Sequence, residues 1–448
     1  MWSSSIPNFV IPIPRKNNPQ IIHDPNPDSY KQVERDENGG FHPKFIRLSD
    51  MNNMWKSLSL KAFAMNTTQG GIASQSSTND LEYEPEHLLI LVHGIMGSPG
   101  DWTYVQAELK RQLGINYLIY ASSCNTYTKT FTGIDTAGKR LAEEIMLVVK
   151  ERRSVKKISF LAHSLGGLIA RYAIGALYTP RVISSDVSDL NKEPLYSPNK
   201  GLIAELEPIS FITLATPHLG VRGKNQLPFL FGLSILEKLA APMAPIFIGQ
   251  TGSQLFLTDE EPEKSPLLLR MASDCEDGKF ISALGTFRCR IVYANICYDH
   301  MVGWRTSSIR RETELIEPST RSLDGYKHVV HVVHCPAVSS DGPHFHPEAT
   351  RAKEAVQNEP TTQNTLEYHD ILEEEMIRGL QQLSWRKVDI NFQSALFPFF
   401  AHNNIHVKSE WLHNAGAGVV CHVIDSIKEQ ETEDTFYACS SCDSTHEF

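Results

Sequence analysis

The 448-residue chain falls into stretches that differ in how apolar and polar positions alternate. Residues 1–85 are polar and rich in Asn, Ser, Pro and Gly, and "NTTQGGIASQSSTND" (66–80) reads as linker. From about residue 86, short apolar runs alternate with amphipathic stretches. "LLILVHG" (88–94) has the unbroken hydrophobicity of a buried strand, and "DWTYVQAELKRQLG" then places Trp102, Val105, Leu109 and Leu113 on one helical face. "YLIYASS" (117–123) reads as a strand, 135–150 as a helix with Leu141, Ile145, Val148 and Val149 apolar, "KISFLAH" (157–163) as a strand and "LGGLIARYAIGAL" as a helix. Further strands are "ISFITLAT" (209–216), "RIVYANI" (290–296) and "WRKVDINF" (385–392), and helices are predicted over 366–383 and 416–427. This alternation predicts an α/β fold, a mostly parallel sheet flanked by helices on both faces.

Other segments break the pattern. Residues 221–285 contain the most apolar window, "LPFLFGLSILEKLAAPMAPIFIG" (227–249). It is long enough to cross a bilayer, but Glu237, Lys238 and three prolines argue against a spanning helix. Residues 339–365 read as a flexible loop and 429–448 as an acidic tail. The expected organisation is a disordered N-terminal region over 1–85 and one domain over 86–428, with 221–285 as a lid-like insertion.

Composition narrows the partners. With 41% hydrophobic and 21% charged residues the chain is an ordinary globular protein, and a net charge of −10 disfavours nucleic acid. The eight cysteines are scattered and suggest no disulfide framework. The N-terminus lacks a basic start followed by an apolar core, so no secretory signal is expected; its early serines leave plastid import open. The expected location is cytoplasmic, with membrane association open.

The chemistry concentrates in "FLAHSLGGLIA". A strand ends at His163, Ser164 follows, and Leu165-Gly166-Gly167 opens a helix. Such a sharp strand–Ser–helix turn exposes Oγ, and Ala162 and Gly166, two residues either side, let strand and helix approach. A serine there could equally cap the helix. Upstream, "LVHGIMGSPGDW" offers the Ile95 N–H, with Met96 as second choice, to pair with the Leu165 N–H as an oxyanion hole. His93 and His163 read as structural.

"VHGIMGSPGDW", "FLAHSLGGLIARYAIG" and "LATPHLGVR" resemble the DUF676 putative serine esterase family of lipase-like α/β-hydrolases, over roughly 85–310 and resuming to 428. Ala162, where the usual pattern has glycine, is a mild departure. The resemblance implies a Ser-acid-His order along the chain. After "RIVYANI", Asp299 is the acid candidate, and Val302 fits the family pattern; Asp274 and Asp277 lie in a polar loop and fit less well. His402, His406 and His413 all fall in the interval where the base belongs, and the family's His-x-x-Ile pattern, here "HNNI", favours His402. His328, His331 and His334 read as strand residues, "HFH" (344–346) lacks a third metal ligand, and "CSSC" (439–442) lies in the acidic tail. Met96, Phe229, Leu233 and Leu236, with Leu230 and Leu239, are expected to line an acyl-binding surface.

These readings imply a serine esterase or lipase acting on an acyl ester through Ser164, His402 and Asp299, with no cofactor or metal and a membrane or lipid-droplet surface as a transient partner. A thioesterase or acyltransferase with the same residues, and a non-catalytic ligand-binding protein of this fold, remain the alternatives.

Overall fold

The computed structural model describes residues 29–35, 41–47, 84–180, 201–221, 248–261, 264–316, 320–339, 347–358 and 362–442. The chain divides into two units, 1–81 and 82–448. In the first, strands β1 (Ser29–Arg35) and β2 (Phe41–Arg47) pair antiparallel. Paired strands therefore occupy part of the region expected to be disordered.

The second unit is built on a seven-stranded sheet in the order β12-β13-β11-β8-β5-β3-β4. Its strands are β3 (His87–Val92), β4 (Tyr117–Ala121), β5 (Lys157–His163), β8 (Glu207–Leu214), β11 (Cys289–Asn295), β12 (Val329–Cys335) and β13 (Trp385–Ile390). The remaining strands, β6 (Tyr178–Thr179), β7 (Leu202–Ile203), β9 (Asp274–Cys275) and β10 (Gly278–Lys279), form two-stranded pairs beside it. All neighbours in the large sheet are parallel except β12, which runs antiparallel to β13 at the edge. The helices that carry the argument are α1 (Thr103–Leu113), α2 (Ile134–Glu151), α3 (Leu165–Leu177), α4 (Trp304–Ser308), α5 (Pro347–Asn358), α6 (Thr362–Gln381), α7 (Ala401–Asn404) and α8 (Ala417–Cys442); short helices also cover Leu267–Arg270, Phe280–Gly285 and Glu410–His413. This is the α/β-hydrolase architecture, and it agrees with the strand–helix alternation.

The pleat divides the core in two. Leu88, Ile90 and Val92 of β3 and Ile158 and Phe160 of β5 face α2 and α3, among Leu141, Ile145, Leu168 and Ile169. Leu89, Leu91 and Leu161 point the other way, onto Trp102, Val105 and Leu109 and onto Val419, Val423 and Ile427 of α8. Because both faces are covered, the central strands are buried along nearly their whole length and mostly apolar instead of alternating. Parallel order also brings the carboxyl ends of β3, β5, β8, β11 and β13 to one edge, where open α/β sheets bind ligands.

Several expected boundaries move. Part of the predicted flexible loop 339–365 is helical: α5 begins with Pro347 and Glu348, good first-turn residues, and continues in Ala, Lys, Glu and Gln. The closing helix does not stop at 427 but runs as α8 to Cys442, through the segment read as an acidic tail. The insertion 221–285 is only partly described. Its residues from 251 on belong to the core, with Leu255, Phe256, Leu257, Leu267, Leu268 and Met271 buried against the α2–α3 face. Phe229, Leu230, Leu233, Leu236 and Leu239 lie outside the described residues. Among the described residues no helix is long and apolar enough to cross a membrane.

Gly379 tests how tightly this core is set. A Cβ there would run into the backbone carbonyl of Ala272. Gly379→Ala is expected to cost about 1–3 kcal/mol from overpacking, outweighing the roughly 1 kcal/mol that alanine gains in a helix interior. The denaturant midpoint reads this directly, and an unchanged midpoint would mean that α6 shifts freely on the 272 turn.

Candidate active site

Ser164 sits between β5 and α3 with φ 55° and ψ −130°, a conformation that costs a non-glycine residue about 1–3 kcal/mol. Its neighbours hold it there. The Ser164 N–H donates to the Leu214 carbonyl at 2.9 Å. Its own carbonyl accepts from Thr216 Oγ1 at 2.9 Å. Gly94 passes so close that a Cβ on it would lie 2.8 Å from Ser164 Cβ, and a Cβ on Gly166 would strike the Val92 and His93 carbonyls. Glycines at these two positions are what let the ends of β3 and α3 approach the serine.

Ser164, His402 and Asp299 come together although 238 residues separate the first two and 103 the last two. Ser164 Oγ lies 3.0 Å from His402 Nε2. His402 Nδ1 lies 3.0 Å from Asp299 Oδ2. An ionised carboxylate only accepts, so Nδ1 carries the hydrogen and Nε2 is left to accept from the serine hydroxyl. Asp299 is buried and its oxygens are cradled: Oδ1 accepts the Met301 and Val302 N–H groups, both at 2.9 Å, and Oδ2 accepts Asn295 Nδ2 at 2.8 Å. Burial alone would push the carboxyl up, but the charge and hydrogen bond of His402, with Asn295 and Val302, more than offset it and hold it below its ordinary value.

Above the serine, Met96 N–H is taken by Thr130 Oγ1 at 3.1 Å. That removes Met96 as an oxyanion donor and leaves Ile95. Among the described hydrogen bonds, neither the Ile95 nor the Leu165 N–H has an acceptor. The Met96 side chain is half exposed.

The other candidates fall elsewhere. His406 and His163 are buried and their imidazoles are held well below the ordinary value, mainly by burial. His413 Nδ1 accepts the Ser409 N–H at 3.1 Å. His93 Nδ1 lies 3.0 Å from the Gly94 carbonyl, a local contact that fits its structural reading. His328, His331 and His334 lie in or beside β12, as their alternation suggested. "HFH" (344–346) lies outside the described residues, and among the described residues no cluster of His, Cys, Asp or Glu could hold a metal. "CSSC" closes α8 rather than a disordered tail. A cavity of about 510 Å³ lies between residues 261–277 and α6, away from the serine. Its cations are already paired, Lys264 and Arg270 with Asp277 and Arg378 with Glu375.

Sequence reasoning missed Asn295, Thr130 and Thr216. Asn295, a polar residue ending an otherwise apolar strand four before the acid, carried the clearest signal. It also missed the anchor of the acid loop. Asp389 on β13 receives Arg310 through both oxygens, at 2.6 and 3.0 Å, and Trp304 Nε1 at 2.8 Å.

Comparison with known proteins adds the family. The model described as "Putative serine esterase (DUF676)" matches residues 82–309, just over half of the chain. A Schizosaccharomyces pombe protein named as a "Putative lipase" is 28% identical over 232 residues, covering 50% of this chain and 26% of that protein. "Putative lipase YDL109C" of Saccharomyces cerevisiae is 30% identical over 230 residues, covering 50% of this chain and 30% of that protein. The chain thus spans about a quarter to a third of the length of these curated relatives. Among solved structures, Aspergillus fumigatus lipase B shares 14% identity over 50% of this chain and 40% of its own, with a TM-score of 0.30.

The cradle of Asp299 makes a stability prediction. Its folded pKa is held below the ordinary carboxylate value, so the ionised carboxylate contributes stability that is fully present above the unfolded value, about pH 4, and is lost as pH falls through the folded value. Asp299→Asn should flatten this part of the acid limb. Urea midpoints measured between about pH 5 and pH 3 check it; equal slopes for the two proteins would mean that the cradle contributes nothing.

Proposed function

The chain belongs to the DUF676 serine esterase family, and we propose that it hydrolyses carboxylic esters of lipid acyl groups through an acyl-enzyme on Ser164. The observation that carries this reading is the continuous link Ser164 Oγ–His402 Nε2 and His402 Nδ1–Asp299 Oδ2, each 3.0 Å long. In the proposed mechanism His402 Nε2 takes the hydroxyl proton as Oγ attacks the ester carbonyl. Asp299 keeps Nδ1 protonated and stabilises the imidazolium that forms. The tetrahedral oxyanion is held by the Ile95 and Leu165 N–H groups. The proton on Nε2 then passes to the departing alcohol. Water, deprotonated by His402 in turn, releases the acid and restores Ser164. The sequence of steps uses only the chain's own groups and water.

The surroundings favour an apolar substrate. Met96 beside the oxyanion donors, Tyr298 and Met301 beside Asp299, and Leu396 and Phe399 before His402 are all large apolar or aromatic side chains left exposed. They lie on the segments that carry the site residues, and we propose that an acyl chain enters there. Phe229, Leu233 and Leu236 are proposed to extend that surface. The proposed partner is accordingly a lipid or acyl ester, met at a membrane or lipid-droplet surface by a cytoplasmic protein.

A fluorophosphonate probe should label the wild-type protein at Ser164, and Ser164→Ala should remove both labelling and ester turnover in a folded protein. Asp299→Asn and His402→Ala should each lower kcat by about three to four orders of magnitude. Turnover in a folded Ser164→Ala protein would end the hydrolase reading; loss in His406→Ala with retention in His402→Ala would move the base. A panel of nitrophenyl esters and acyl thioesters, run with and without an acceptor alcohol, separates the esterase from a thioesterase or acyltransferase. No turnover and no labelling would leave a ligand-binding member of the fold.

A further inference from the structure

His163 ends β5 immediately before the serine. It shares the parity of Leu161, so the pleat directs it to the α8 face of the sheet. There its Nε2 lies 2.8 Å from the backbone carbonyl of His402, 239 residues away in sequence. A carbonyl only accepts, so Nε2 carries the hydrogen and donates it. The His163 ring stacks on His406, centroids 3.9 Å apart and planes at 28°, and lies 4.7 Å from the His402 ring. Trp102 closes the far side of His406 edge-on at 5.4 Å.

The bond matters because of what carries His402. Helix α7 is a single turn of four residues, too short to be stable by itself. Its remaining described main-chain hydrogen bonds are local, Ile405 N–H to the Ala401 carbonyl, Val407 N–H to that of Asn404 and Lys408 N–H to that of Asn403; its side chains are held by core packing of Ala401, Ile405 and Val407 and by an ion pair of Lys408 with Asp101 at 3.0 Å. The His402 carbonyl lies at the end of this turn, where no intrahelical donor is available. Among the described hydrogen bonds, His163 is the side chain that ties this turn's main chain to the strand bearing the nucleophile.

We propose that His163 is a positioning residue: its Nε2–H···O=C bond to His402 sets the distance between His402 Nε2 and Ser164 Oγ. The inference rests on the reading of His402 as the base. A displacement of about 1 Å at such a site can cost around a hundredfold in rate, so one well-placed bond between two distant segments is enough to matter. His163 acts here as a neutral donor. The charged or titratable groups that reach it are His402, His406 and Lys408, and its burial keeps the ring uncharged beside them.

Two substitutions separate the donor from the ring. His163→Phe keeps a flat buried ring and removes the donor; His163→Gln places an amide N–H near the position of Nε2. On a soluble short-chain ester, His163→Phe should lower kcat about 10- to 100-fold with KM changed less than about twofold, and the rate of fluorophosphonate labelling should fall in parallel. His163→Gln should recover kcat to within about fivefold of wild type. The acid limb of the kcat/KM profile should stay in place in both variants, since a neutral donor adds no charge. Wild-type kcat in His163→Phe, no recovery in a folded His163→Gln, or a shifted acid limb each overturns the inference. If His163→Phe does not fold, the contrast between His163→Gln and the shorter His163→Asn tests the same bond. Absence of labelling in the wild-type protein would overturn the underlying hydrolase reading instead; labelling of wild type and His163→Phe at equal rates would overturn only the positioning role.

Discussion

The strained backbone at Ser164 is the constraint around which this end of the sheet is arranged. With φ at 55°, the residue can hold its conformation only if its surroundings over-determine it. Three strands supply that restraint. β8 takes the Ser164 N–H through Leu214, and Thr216, just past its end, donates back to the Ser164 carbonyl. β3 contributes Gly94, in contact range of the serine Cβ. β5 brings the chain in from below. Oγ is thereby presented to His402 while the serine's own N–H and C=O are both engaged, the condition for the proposed nucleophile, which must not move when its proton leaves.

The stretch "ATPHLG" finds its meaning in the same restraint. None of its side chains takes part in the side-chain link Ser164 Oγ–His402–Asp299. Instead Thr216 holds the serine, and His218 Nε2 lies 2.9 Å from Thr213 Oγ1. Arg171 of α3, buried without a carboxylate partner among its described bonds, donates to the His218 and Met271 carbonyls at 3.2 and 3.0 Å. The Leu219 N–H donates to Thr306 Oγ1 of α4, which donates on to the Gly220 carbonyl. One turn therefore clamps the serine helix to the segment behind the acid loop. A buried guanidinium whose described partners are neutral acceptors gives up much of its hydration, and burial holds Arg171 down to about 10. Such an arrangement is worth retaining where two loops must keep a fixed separation.

Legibility in the sequence followed the range of the interaction. β3, β5, β8 and β11 were readable because burial on both faces makes them largely apolar runs, β13 because its apolar and polar residues alternate, and α1–α3 because their apolar residues recur at helical spacing. The strand–Ser–helix turn was readable because its requirements, a small residue either side of Ser164, are local. Asp299 followed from its place after β11. His402 could not be ranked above His406 and His413 by pattern, since all three lie within one short interval; the resemblance favoured it, and the fold turns His402 toward Asp299 while packing His406 against His163. Residues 251–285 were read as part of a surface insertion because their partners, on α2 and α3, are remote in sequence. The engagement of Met96 by Thr130 depends on a contact 34 residues away, which no spacing announces.

The crowding of imidazoles around His402 has an electrostatic requirement of its own. The proposed reaction builds positive charge on His402 in the transition state. A protonated His163, 4.7 Å away ring to ring, would oppose that charge by about 3–4 kcal/mol at an effective dielectric constant near 20, or some two to three orders of magnitude in rate. A histidine beside the base is therefore tolerable only if it stays neutral. Burial does this for His163 and His406 alike, desolvation being the largest cause in each, and each is further discouraged from charging by its histidine neighbours. A lysine or arginine in place of His163 could donate the same hydrogen bond but would bring the charge with it. An imidazole held below its ordinary pKa supplies the donor without the charge, which is the combination a strand end next to the proposed general base needs.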